Sequence, residues 1–224
     1  MFIKMRGAIA AKFSSAYAAN LISISAIVAM LAFTVGTNAS GSEETLEVTG
    51  AADFEAPTSI PSIGVKGKST AIQGHVIFHR DPNGVTLERL VAQVPARTFA
   101  TGMAVRDEHL RRLVFTAANG DAPDLRFEAD KADCASRQGS QEFTCAVAGN
   151  LTIRGIARPF QINLKVKQVG SVSFKAAGEG VVKLSDYEIP QPSQLGVKVA
   201  DEVKLRLDLG AKQSAQTSAY GGKP

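Results

Sequence analysis

Between Val147 and Lys167 apolar and polar residues alternate so strictly that the segment is committed to extended backbone, because only a strand turns successive side chains to opposite faces. Val147, Gly149, Leu151 and Ile153 share a face before a turn carrying Gly155 and Pro159. Phe160, Ile162, Leu164 and Val166 share one after it, with Gln161, Asn163, Lys165 and Lys167 opposite. One greasy face and one wet face is the pattern of antiparallel strands that pack on one side only.

The same rhythm recurs along the chain. Ile63, Val65, Ile72, Val76 and Phe78 mark two strands that start near Ser62 and end at Asp81-Pro82-Asn83-Gly84, a strong turn signal. The strand from Val85 to Pro95 slips phase between Leu87 and Leu90, which predicts a β-bulge near Arg89. Further strands are expected over 124–134, 142–153, 158–169, 172–184 and 197–209. Met103 to Phe115 breaks the rhythm: Val105, Leu110, Leu113 and Val114 among charged residues fit one short amphipathic helix. Residues 40–58 are polar with little period and read as a flexible N-terminal segment, and 211–224 read as a disordered tail.

About eight strands, short turns and one helix predict an all-β fold over 59–210. A closed antiparallel barrel leaves no sheet edge exposed, and a β-sandwich is the competitor. A membrane barrel with apolar residues outward needs aromatic girdles. With no Trp and three Tyr, at 17, 187 and 220, the chain does not supply them. The inward set is then Phe78, Phe127, Leu151, Ile153, Phe160, Ile162, Leu164, Phe174, Val182, Leu205 and Leu207. In an eight-stranded barrel such side chains either fill the lumen or leave room for one slender apolar ligand. Ala176, Gly178 and Gly180 at the centre of one strand favour room, although glycine also relieves strand bending.

The first 39 residues hold Lys4, Arg6 and Lys12 and no acid, then an apolar run from Leu21 to Val35, then Thr37-Asn38-Ala39. This layout predicts a signal peptide over 1–39 and a periplasmic or secreted protein, with an uncleaved membrane anchor as the alternative. The formal charge of +4, less the +3 of the leader, leaves +1 for the rest. A nearly neutral domain gives no reason to expect nucleic acid or an anionic membrane surface as partner. The two cysteines, Cys134 and Cys145, flank a polar loop between two strand patterns. In an oxidising compartment such a pair reads as a structural disulfide, with two free thiols as the alternative.

Little else carries chemistry. His75 and His79 share a strand face about 13 Å apart, too far for one metal ion. His109 lies in Arg106-Asp107-Glu108-His109, the one compact titratable cluster, where Asp107 and His109 sit two apart on a helix and face different ways. No nucleophile setting, metal-ligand spacing or phosphate-cradling loop stands out, so no catalytic residue, metal or cofactor is predicted.

Four blocks carry a resemblance: Gly64-Val65-Lys66-Gly67-Lys68-Ser69-Thr70, Gly102 to Leu110, Leu151-Thr152-Ile153-Arg154-Gly155, and Leu184-Ser185-Asp186-Tyr187-Glu188-Ile189-Pro190. In that order they resemble the YceI-like family of periplasmic, lipocalin-like barrels associated with polyisoprenoid lipids. The resemblance implies an apolar lipid ligand, a polyprenyl chain or a quinone tail, held against the inward set, with transient membrane contact. It also implies a place for Arg106 and His109 at the pocket mouth near a polar head group; otherwise the helix simply closes one barrel end. An envelope structural or stress-associated protein with a filled core is the alternative function. Glu188 departs from the family, whose members often carry Gly there. Oligomeric state is not legible from the residues.

Overall fold

A computed structural model describes residues 43–81, 84–136 and 140–213. The predicted signal peptide over 1–39 and residues 214–224 of the predicted tail lie outside the described residues. Eight strands form a closed antiparallel barrel: β1 Glu44–Pro57, β2 Gly64–Asp81, β3 Gly84–Val94, β4 Leu125–Ser136, β5 Glu142–Ile153, β6 Ile156–Gly170, β7 Ser173–Lys183 and β10 Glu202–Gln213. Each pairs with its neighbour in sequence as an up-and-down meander, and β10 returns to β1 along a ladder from Leu46↔Gln213 to Glu55↔Lys204. Between β7 and β10 a small hairpin intervenes, β8 Ser193–Gln194 with β9 Val197–Lys198. The helix α1, Ala104–Leu110, continues into a wider π turn over Arg111–Phe115 between β3 and β4.

The alternation that defined β5 and β6 places its apolar face inward as expected, with Val147, Leu151, Ile153, Ile162 and Leu164 all buried. Ile153 pairs with Ile156, so Arg154-Gly155 is a two-residue turn, and both residues take positive φ, 56° and 80°. Such a turn matches the twist of the strands it joins. The predicted bulge is present at Glu88, one residue from Arg89. Ile77 pairs with Arg89 and Phe78 with Leu87, leaving Glu88 between them with its carboxylate 3.1 Å from Nδ1 of His79.

Three expectations are corrected. Residues 44–57, read as part of a flexible segment, are the closing strand β1, with Leu46 only 1% exposed and Val48, Ala52 and Ala56 buried at alternate positions. The period was present, but Gly50, Ala52 and Ala56 gave it too little apolar bulk to stand out. At the other end, residues 211–213 of the predicted tail belong to β10, where Ala211 pairs with Val48. Last, the predicted strand over 197–209 is split: its first two residues form β9, and the barrel strand starts at Glu202.

The end of the barrel away from the helix is stoppered. Phe78 and Phe174 meet edge to face at 5.8 Å, and the Arg80 guanidinium lies over both rings at 5.5 and 5.1 Å. Arg80 is held there by Glu44, 3.1 Å from its Nε, by Gln168 Oε1 and by the carbonyl oxygen of Ser171, each 3.4 Å away. A cation over an aromatic face is favoured by the ring quadrupole, more so where water is partly excluded.

Cys134 and Cys145 are bonded, and both are buried. Pairing of β4 with β5 lapses between Glu128↔Asn150 and Cys134↔Cys145, where Lys131 takes a φ of 59°. The covalent link therefore restores a ladder that the backbone alone interrupts. With eleven residues of sequence separation, the chain-entropy argument gives about 2 to 3 kcal/mol of stabilisation. The double variant Cys134→Ala/Cys145→Ala is expected to lose that amount in urea unfolding with an unchanged barrel circular-dichroism spectrum, and unreduced wild type is expected to take up no alkylating reagent.

Candidate functional site

A cavity of about 570 Å³ occupies the lumen on the helix side. Nine residues of the inward set line it: Phe127, Leu151 and Ile153 from β4 and β5, Phe160, Ile162 and Leu164 from β6, and Val182, Leu205 and Leu207 from β7 and β10. Phe78 and Phe174 do not. They belong to a smaller chamber of about 100 Å³ beside the Arg80 stopper. Val48, Leu90, Leu164 and Leu209 wall both spaces and make the waist between them. Sequence reading missed Ala52, Phe54 and Ala56 because they lie on β1, and Phe99 and Phe115 because they flank the helix outside any strand. For the first three the signal was the alternation through 46–56.

Gly178 and Gly180 favour room as expected, but without lining it themselves. A Cβ on Gly178 would lie 2.7 Å from Leu164 Cδ2, and one on Gly180 would lie 2.5 Å from Phe160 Cζ. The two glycines are covered by β6 side chains, and neither lines the cavity. They let Phe160 lie flat along the wall, where it meets Phe127 edge to face at 5.9 Å. Room in the lumen thus comes from side chains drawn back onto the wall.

Polar lining residues gather at one end. Thr58, Thr101, Arg106, His109, Ser193 and Gln194 lie on the β1–β2 connection, the helical segment and the β8–β9 hairpin, which together form the mouth. Arg106 and His109 are the titratable side chains of the described lining, and neither has a hydrogen bond or ion pair among the described residues. Asp107 faces elsewhere. It accepts hydrogen bonds from the backbone N–H and the hydroxyl of Thr101, both at 2.6 Å, and these bonds hold its carboxyl below the usual carboxylate range. The Asp107 carboxylate is therefore spent on anchoring α1. Glu108 pairs with Arg111 at 3.2 Å. Phe54, Phe99 and Phe115 form a stack with centroids 6.0 and 5.3 Å apart, fixing the helical segment to β1.

The amphipathic pattern of that segment is only partly used: Leu110 and Val114 line the cavity, whereas Val105 is 66% exposed. Among the described residues no group of three or more His, Cys, Asp or Glu is placed to hold a metal ion.

The four sequence blocks converge on bracing this end. Ser69 is buried, with its hydroxyl 2.7 Å from that of Thr98, while Lys68 and Ala100 exchange backbone hydrogen bonds. Arg154 Nη1 donates to the Glu188 carbonyl at 3.1 Å, and Arg158 Nε donates to that of Asp186 at 2.8 Å. Asp201 accepts from the N–H and hydroxyl of Ser185 at 2.8 and 2.7 Å, which lowers its pKa. Tyr187 is 2% exposed. Burial, helped by the charge of Asp186, pushes its phenol up to about 12. Glu188 holds a φ of 55°, the left-handed region that favours glycine.

A stoppered antiparallel barrel with an apolar lumen and one braced mouth that carries Arg106 and His109 defines a class of small binding barrels. The chain belongs to the YceI-like family: the model of the YceI-like domain matches residues 32–211. Solved structures with the same fold include a polyisoprenoid binding domain from Saccharophagus degradans, 12% identical, with TM-score 0.56, covering 78% of this chain and 99% of that one. BcnA of Burkholderia cenocepacia is 18% identical with TM-score 0.52, over 72% of this chain and 96% of that one. The YCEI protein of Campylobacter jejuni is also 18% identical, with TM-score 0.52, over 67% and 85%. No curated protein matches the chain.

Two expectations follow from the bracing. Glu188→Gly removes the left-handed strain and keeps the carbonyl that Arg154 uses, so it is expected to raise unfolding free energy by about 1 kcal/mol in urea titration. Tyr187 titrates near 10 unfolded and near 12 folded. Its neutral form favours the folded state, so the contribution is full below pH 10 and is lost as pH rises towards 12. Thermal melts from pH 8 to 11.5 are expected to fall less steeply for Tyr187→Phe than for wild type.

Proposed function

We propose that this protein is an exported, non-enzymatic carrier that holds one isoprenoid chain, a polyprenyl lipid or a quinone tail, in the barrel lumen. The observation that carries the reading is the 570 Å³ apolar cavity whose titratable lining is confined to its mouth. That volume lies within the range of small-molecule sites, about 300 to 1,000 Å³. A core-filled envelope protein has no use for such a void, because unfilled apolar volume costs stability. The description of the Saccharophagus degradans domain as polyisoprenoid-binding points to the same ligand class.

Energetics set what the carrier does. Moving a prenyl chain from water into the lumen is favourable by about 0.8 kcal/mol per methylene, which over a long chain exceeds any measured affinity. The donor is therefore a bilayer, where the chain is already dry, and net transfer is close to balanced. Reversible carriage across an aqueous compartment, here the periplasm, suits such a balance. No described helix is long and apolar enough to cross a membrane. The lumen walls supply packing alone, and Arg106 and His109 are left to meet the polar end of the ligand.

Mass spectrometry of organic extracts from gently purified protein tests this, with close to one prenyl lipid per chain expected. Leu205→Trp, which fills the lumen from β10, is expected to abolish that load while the protein stays folded. Arg106→Ala/His109→Ala is expected to lower retention during gel filtration severalfold without moving the urea midpoint. Protein that is lipid-free as isolated and takes up no prenyl lipid from vesicles would end the reading.

A further inference from the structure

The large cavity and the smaller chamber lie end to end, and the strands record where one becomes the other. Along β6, Ile162 lines the cavity, Val166 lines the chamber and Leu164 lines both. β10 repeats the order with Leu207, Ala211 and Leu209. Val48 of β1 and Leu90 of β3 also face both spaces, so four strands hand over at one level and the waist is a ring. On β6 and β10 the chamber takes the next inward side chain beyond that ring, which at the usual strand rise and tilt is a depth of roughly 5 Å along the axis. An extended isoprene unit, four carbon–carbon bonds of about 1.5 Å in a zigzag, has roughly the same length.

Every side chain lining the chamber is either apolar or a cysteine of the disulfide. It offers water no hydrogen-bonding side chain, and a space of that kind stays dry. At about 100 Å³ it has room for a few carbon atoms and no more. Ala176 and Ala211 are the smallest side chains in its lining, so the room that Ala176 favours lies here, below the waist.

A dry void with a yielding boundary closes up, because packing is recovered when it does. This boundary is held. Phe78 and Phe174 make its floor, with the Arg80 guanidinium over both rings and Glu44 at 3.1 Å from Arg80 Nε. Cys134 and Cys145 cross-link its wall. The wide cavity above can take a chain extended or doubled back, whereas the chamber, one layer deep behind a ring, admits only a chain end. With the polar end of a ligand kept at the mouth by Arg106 and His109, the distance from there to the floor is fixed.

We propose that the chamber is a gauge of chain length: the terminal isoprene unit of the ligand passes the waist and stops on Phe78 and Phe174, so that the protein selects prenyl chains by their number of units. A chain one unit too long leaves apolar carbons in water at the mouth, and a chain one unit too short leaves the chamber empty. The proposal rests on the carrier reading and adds to it which chain is carried.

The full chain, delipidated and then incubated with phosphatidylcholine vesicles that hold an equimolar series of all-trans polyprenols differing by one isoprene unit, supplies the test. Polyprenols share one small neutral head, so mass spectrometry of the bound fraction reads tail length alone. Wild type is expected to take up one dominant length, with its neighbours severalfold less abundant. Ala176→Leu and Ala211→Leu, which fill the chamber from two different strands, are each expected to move the dominant length down by about one unit, and Phe174→Ala to move it up. Val181→Leu, on the outer wall of β7, is expected to leave it in place. Circular dichroism and the urea midpoint check that each variant is folded, and the two leucine variants carry the test if loss of the Phe174 ring unfolds the barrel. Equal uptake of all lengths by wild type, or one dominant length unmoved in the folded variants, would overturn the gauge. Total load keeps the two readings apart. A full load with unmoved lengths defeats the gauge alone, and no polyprenol bound at any length in wild type defeats carriage and the gauge with it.

Discussion

Everything in this barrel depends on the ladder between β1 and β10, the pairing most distant in sequence. Closing the sheet there removes two edges of unpaired N–H and C=O groups, and it also separates an inside from an outside. Without closure the alternate apolar side chains would have to find a second layer to pack against. With it they face one another across a lumen, and the question becomes how much of that lumen they fill.

The answer differs along the barrel axis. Toward the Arg80 end, Val147, Cys134, Cys145, Leu87 and Leu90 pack as a cluster that leaves only the small chamber, capped by Phe78 and Phe174. Toward the helix the walls are equally apolar, but the side chains lie back, Phe160 across Gly180 most plainly, and a cavity remains. An unfilled half costs cohesion. The compensating devices sit at both ends: the disulfide and the cation–aromatic stopper at one, and at the other the phenylalanine stack with the contacts of Arg154, Arg158 and Asp201.

Legibility in the sequence followed side-chain size. Where alternation was carried by Leu, Ile, Val and Phe, as in β5, β6 and β10, inward faces could be assigned residue by residue, and nine of eleven chosen residues line the main cavity. Where it was carried by Gly and Ala, as in β1, the strand disappeared into what read as a polar approach. Phe78 and Phe174 face inward as expected, but periodicity fixes a face and says nothing of depth, so their place at the closed end could not be read. The wide π turn and the mouth segments follow no fixed period, and although Arg106 and His109 stood out as part of the one compact titratable cluster, only a family resemblance placed them at the mouth. The glycines of β7 favour room as expected, but by an indirect route the sequence does not disclose, because a missing side chain looks the same whether a ligand or a neighbouring phenylalanine takes its place.

The Arg80 plug has a further consequence. A barrel capped at its base by Phe78, Phe174 and Arg80 is a cup and not a conduit. On the carrier reading proposed above, a ligand would then leave by the aperture through which it entered, tail innermost and head last, and the direction of traffic would be set from outside the protein and not by its lumen.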